Sequence, residues 1–133
     1  MAALRFDFTV RSGNALTLSV PVFDGQGAPI LHPTLAAGWT ARAKVRTVDE
    51  SETVLQAWST SAGTITWGIT SGVPRGGDTP VTTGAALVAI TGAMSLAWDW
   101  TVGEYGVDVI DPTGAATEIV FGVIRVEPDA ARP

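Results

Sequence analysis

Residues 103–126, GEYGVDVIDPTGAATEIVFGVIRV, decide the fold. In the first half Tyr105, Val107 and Val109 alternate with Asp108 and its neighbours. A period of two puts apolar side chains on one face of a strand and polar ones on the other. Asp111-Pro112-Thr113-Gly114 interrupts the pattern, with Pro and Gly where a type I turn wants them. Glu104 to Ile110 and Ala116 to Val126 therefore read as two strands of a hairpin, with Asp108 facing solvent.

The same period recurs outward from this hairpin. Trp39, Ala41, Ala43 and Val45 alternate with Thr40, Arg42, Lys44 and Arg46, the cleanest case in the chain. Phe6, Phe8 and Val10 alternate with Arg5, Asp7, Thr9 and Arg11, which predicts one strand with one apolar face. Leu16, Leu18, Val20 and Val22 predict another, with Pro21 marking an edge or a strand end because it cannot donate to a ladder. Asp24-Gly25-Gln26-Gly27 then reads as a turn. Thr53 to Ser59 and Thr64 to Thr70 predict a hairpin joined near Ser61-Ala62-Gly63. Ser71 to Gly84 is the longest loop signal. Ala85 to Thr91 and Ser95 to Trp100 read as short strands; a single short helix over Ala85 to Ala97 is the alternative, opposed by Gly92 and the β-branched Val88, Ile90 and Thr91. No other stretch suggests a helix. About eight to nine short strands between turn signals predict an all-β fold, an Ig-like antiparallel β-sandwich, with a barrel also open. One sandwich domain over residues 1–126 and a polar tail over 127–133 follow.

Composition narrows the function classes. The chain has 133 residues, no Cys and a single His, with 13 Asp+Glu against 8 Lys+Arg. Without Cys there is no disulfide framework, thiol nucleophile or thiolate-bound metal. The acidic balance opposes nucleic-acid binding, which needs clustered basic residues. No apolar run resembles a signal peptide or a membrane span, which predicts synthesis in the cytoplasm. Charged residues are only 16% of the chain, against roughly 25% in ordinary domains. A Thr/Ser-rich surface or burial of part of the surface in an assembly would each account for the deficit.

Chemistry-bearing motifs are few. His32, between Leu31 and Pro33, has no neighbouring nucleophile and falls in an expected loop. There is no nucleophile elbow and no phosphate-binding loop. Asp24 and Asp78 lack the spacing of a calcium loop and read as turn formers. Asp99, Glu104, Asp108 and Asp111 put no pair on one buried face, as carboxylate catalysis would require. Neither catalytic residues nor a metal or other cofactor site is expected. Arg42, Lys44 and Arg46 form a basic stripe that reads as a solvated face or as cross-strand partners of acidic residues. Of the five Trp, Trp39 and Trp67 are expected in the core, Trp98 and Trp100 on one face of a short strand, and Trp58, with Phe23, exposed. Exposed aromatics anchor protein partners or stack on sugars.

Three stretches also resemble a known family. LRFDFTVRSGNALTLSVPVFD (residues 4–24) is similar to its opening strand, Gly-containing turn and second strand. GWTARAKVR (38–46) is similar to its strand of alternating small and basic residues. GEYGVDVIDPTGAATEIVFGVIRVEPDAAR (103–132) resembles its closing hairpin, with a mid-strand glycine, Gly122, and a terminal Arg132. The family is that of small β-sandwich domains of tailed-phage tails and baseplates, including the N-terminal domain of baseplate upper proteins. The resemblance implies a non-enzymatic virion protein, made in the host cytoplasm, that packs against copies of itself and other virion proteins. Members often continue into a receptor-binding or stalk region that has no counterpart here, which favours a tail or baseplate adaptor or collar subunit. A capsid decoration protein is the close variant. A carbohydrate-binding module that stacks a host-surface glycan on Trp58, Trp98 or Trp100 is the rival reading. The expected contact residues are Phe23, Trp58, Trp98, Trp100 and Arg132.

Overall fold

The computed structural model describes residues 3–48, 53–74 and 77–128. Along the chain run β1 (Leu4–Arg5), β2 (Phe8–Arg11), β3 (Leu16–Pro21), α1 (His32–Ala36), β4 (Thr40–Arg46), β5 (Val54–Ser59), β6 (Ile65–Gly72), β7 (Val81–Ile90), α2 (Gly92–Ala97), β8 (Val102–Ile110) and β9 (Ala116–Glu127). They form two separate sheets. The larger has the order β1-β9-β8-β4-β5, with β2 also on β9; the smaller is β3-β7-β6. Both sheets are open, so the fold is the sandwich and not the barrel.

The closing hairpin forms as its sequence dictates. The Asp111 carboxylate accepts from the Thr113 hydroxyl at 2.6 Å, the Thr113 amide at 2.9 Å and the Ala115 amide at 3.0 Å. These bonds, the Thr113 hydroxyl foremost, hold the carboxyl below its ordinary value. Gly114 takes φ +93°, a conformation open to glycine at little cost. On β4, Ala41, Ala43 and Val45 are buried while Arg42, Lys44 and Arg46 face out. Tyr105, Val107 and Val109 of β8 meet Val20, Ile65, Ala86, Val88 and Ile90 of the smaller sheet in one core. Two indoles tie the layers together. Trp58 Nε1 donates to the Ala89 carbonyl at 2.8 Å, and Trp67 Nε1 to the Trp39 carbonyl at 3.3 Å.

Several expectations are corrected. Thr53 to Ser59 and Thr64 to Thr70 do not pair as a hairpin: β5 belongs to the larger sheet and β6 to the smaller. The chain turns the corner between the sheets through residues 60–64, with Gly63 at φ +75°. The long loop shrinks to residues 73–80, because Gly72 and Gly84 are ladder residues. Each lies where a side chain would collide, Gly72 against Pro21 and Gly84 against Leu35 and the Ile30 carbonyl. Residues 95–97 are helical, not extended. Thr91 starts α2 by accepting from the Met94 amide, and the buried Ser95 hydroxyl donates to the Asn14 carbonyl at 2.8 Å. That hydroxyl also accepts from the Gly13 amide at 3.0 Å, docking α2 on the β2–β3 turn. His32 opens α1 instead of lying in a loop, with Pro33 in the first turn where its missing N–H is harmless.

The opening strand is broken at Phe6-Asp7. The Phe6 amide donates to the Phe121 carbonyl, and the Phe6 carbonyl accepts from the Tyr105 hydroxyl. The Asp7 carboxylate takes the Val123 amide at 2.9 Å, replacing a ladder acceptor. A Cβ on Gly122 would stand 2.1 Å from the Phe6 oxygen, so only glycine admits this step. Phe8 stays inside, edge-to-face with Tyr105 at 5.2 Å, while Phe6 swings out to 49% exposure. Ile69, which shares the parity of the buried Ile65, is also exposed.

Gly122→Ala should therefore cost about 2–4 kcal/mol in urea unfolding, in the upper range for overpacking. Gly25→Ala, with open space around it, should be nearly neutral. A second expectation concerns Tyr105, the only Tyr in the chain. Burial, and then the Asp7 charge, push its hydroxyl well above the ordinary value. The fold thus favours the neutral phenol. That contribution is complete below the unfolded value of about pH 10 and is lost as pH climbs toward the folded value. Phenolate absorbance at alkaline pH should rise together with unfolding followed by Trp fluorescence, and not ahead of it.

Candidate functional site

Of the residues that sequence reasoning placed at contacts, Trp58, Trp98 and Trp100 are brought together in one aromatic cluster, and Phe23 is not part of it. Phe23 and Trp58 are buried, 8% and 3% exposed, which removes both as surface aromatics. Phe23 lies under the bridge it makes with Pro29, its ring tip beside Gly72. Trp58 is held by its bond to Ala89, its ring perpendicular to Trp98 at 6.2 Å. Trp98 and Trp100 are half-buried and lie 4.7 Å apart at a tilt of 33°. Trp98 Nε1 donates to the Gln56 side chain at 3.0 Å. Trp58 and Trp98 thus meet edge to face, and Trp98 and Trp100 lie tilted against one another with part of each still exposed. Trp39 and Trp67 are partly buried against the core. Arg132 lies outside the described residues.

The polar candidates stay apart. Asp24 accepts from the Gln26 and Ala28 amides at 2.8 and 2.9 Å, as a turn former does. Among the described residues no three His, Asp or Glu cluster as metal ligands would. Arg42 pairs with Asp108, Nε to Oδ2 at 3.2 Å, the cross-strand partnership its register predicts. Asp108 stands on the outer face of the larger sheet, beside Glu118 of β9. Burial, and then the Asp108 charge, raise the Glu118 carboxyl above its ordinary value. This pair was missed because a bulge in the β8–β9 ladder shifts the parity of β9 there.

Two surfaces stand out instead. The first is a groove of about 590 Å³ where the sheets meet at their β1–β2 and β3 edges. Phe8, Leu18 and Ile119 line it, with Leu4 (55% exposed), Phe6 (49%) and Leu16 (39%) at its lips. Both flanking strands are edges: β3 pairs only with β7, and β1 and β2 only with β9. Free edges offer ladder hydrogen bonds to an incoming strand. β3 carries no charge, and Pro21 at its end is the one device that blunts it. Alternation hid this seam, because it put Phe6 and Leu16 in the core. The usable signal was Gly122, a mid-strand glycine that marks a close backbone approach.

The second surface is the outer face of the larger sheet, a shallow groove of about 610 Å³. Arg42, Lys44 and Arg46 run along β4; Asp108, Gly106 and Glu104 run beside them on β8. Glu118, Phe121 and Val123 of β9 form the far side.

Phe6→Ser and Leu16→Ser should change stability by about 1 kcal/mol or less, as surface changes do. Trp58→Ala should cost about 3–5 kcal/mol, as a buried Trp does. Chemical denaturation of the three variants checks the contrast. Set against protein-family models and against curated proteins, the chain matches none.

Proposed function

We propose that the chain is a non-enzymatic structural protein of a tailed-phage virion, a minor tail or baseplate adaptor or collar subunit. It works by contact with copies of itself and with other virion proteins. The observation that supports this reading is the apolar seam between two unpaired strand edges. An exposed edge next to an apolar trough suits strand addition: the backbone supplies affinity, and the trough takes alternate side chains. A contact that is weak in one copy becomes firm when symmetry repeats it. Low charge fits a surface that is partly covered in the particle. The resemblance of residues 4–24, 38–46 and 103–132 to tail and baseplate sandwiches points the same way. The glycan-binding alternative loses Trp58, which is buried, and is left with the tilted, half-buried pair Trp98 and Trp100.

The test is immunogold electron microscopy of the phage particles that encode the chain. Gold on the tail or baseplate is the expected result. Gold over the head would replace the tail reading with capsid decoration. Particles without gold would overturn the virion reading.

A further inference from the structure

Three strand ladders fix what stands next to what on the outer face of the larger sheet. Across β5, β4, β8 and β9, one row reads Ser59, Arg42, Asp108, Glu118. The next reads Ala57, Lys44, Gly106, Phe121, and the third Val54, Arg46, Glu104, Val123. Every row has a cation on β4 and, one strand away, an anion or a gap on β8. Lys44 and Arg46 make no ion pair with any described residue. The face therefore carries a basic stripe and an acidic stripe side by side, parallel to the strands.

Such a face is its own complement. A two-fold axis lying in the contact plane, along the strands midway between β4 and β8, lays the β4 of one copy over the β8 of the other. In the first row Arg42 then meets Asp108 of the second copy, and Ser59 meets Glu118. In the second row Lys44 enters the hollow above Gly106, and Phe121, 36% exposed, covers Ala57. In the third row Arg46 meets Glu104, and Val54, 45% exposed, meets Val123. No row brings like charges together. Twisted sheets stack at about 30°, which displaces the outer rows by roughly 3.5 Å, within the reach of Arg and Glu side chains. We infer that the outer face of the larger sheet is an isologous docking surface for a second copy of this chain.

The inference deepens the assembly reading, and rests on it for the expectation that copies meet. It uses a different surface from the seam, which stays open for other partners. Four strands of this length present about 1,000 Å² in total over two copies, the low end for a specific contact. The dimer should thus be weak, and sensitive to salt because its central contacts are ionic and near solvent.

Sedimentation of the full chain tests this. At low salt the wild type should show a concentration-dependent monomer–dimer equilibrium, weakened at least about tenfold in about 0.5 M NaCl. R42D and D108R reverse one stripe each. Each alone should dimerise at least about tenfold more weakly, since like charges then face each other across the axis. An equimolar mixture should associate again, because the all-acidic row of one variant meets the all-basic row of the other. Circular dichroism confirms that both variants are folded; if either is not, R46E and E104R, which reverse one stripe each in the third row, replace them in the same design. A wild type that stays monomeric at ~1 mM and low salt overturns the inference. So does a mixture of folded variants that does not associate. Either result with gold still on the virion would sink this face while leaving the assembly reading in place.

Discussion

The carbonyl of Phe6 occupies the space where a side chain on Gly122 would be, and much of the molecule follows from that contact. It lets the N-terminal segment cross close to β9. The Tyr105 hydroxyl, reaching through from β8, then satisfies the crossing carbonyl, and the Asp7 carboxylate satisfies the Val123 amide that the crossing leaves without a ladder partner. The Tyr105 bond lies partly inside the molecule, whereas the Asp7 bond is exposed, so the first matters more to stability. The same step turns Phe6 outward and opens the apolar seam against β3. One missing methyl group in β9 thus couples the completion of the larger sheet to the exposure of its edge.

Much of the fold was legible because one period dominates the chain. Trp39 to Arg46 and Glu104 to Val126 read correctly, since small or β-branched residues alternate with charged ones and the turn between β8 and β9 has the residues its geometry needs. The errors cluster where a tertiary contact overrides local pattern. Thr53 to Thr70 looks like one hairpin, yet nothing in its sequence says that the second strand joins a different sheet. Ser95 to Trp100 alternates like a strand, but a Thr cap and the docking of Ser95 on Asn14 make its first half a helix. Trp58 was read as exposed because its alternation is ambiguous; its indole bond to Ala89 exists only once both sheets are in place. The candidate surfaces were the least legible part, since they depend on which strands become edges, and edges are a property of topology.

The two surfaces differ in the physics they offer. The seam is apolar and bordered by unsatisfied backbone, so its energy would come from area buried and ladder bonds, with little dependence on salt. The outer face of the larger sheet is polar and arranged by sign, so it offers register and orientation more than affinity. Glycine gives each its depth: Gly122 admits the crossing beside the seam, and Gly106 leaves the hollow between the charged stripes, where a Cβ would press on the Glu118 carboxylate at 2.8 Å.

The pairing of β1 and β2 with β9 has a kinetic meaning as well. Leu4 finds Val120 and Arg11 finds Glu127 across more than a hundred intervening residues. During synthesis β1 and β2 emerge before β9 and must wait, without their ladder partner, until β9 has left the ribosome. The β8–β9 hairpin is local and can close within microseconds, whereas a long-range parallel contact belongs to the slow end of folding, milliseconds to seconds. The slow step in building the larger sheet is therefore the docking of β1 and β2, which are made before its other strands. Until then β9 offers its own free edge, and a neighbouring chain in the same state could supply the missing strands. The edge that favours controlled assembly in the folded protein is, in the nascent one, an opening for strand exchange.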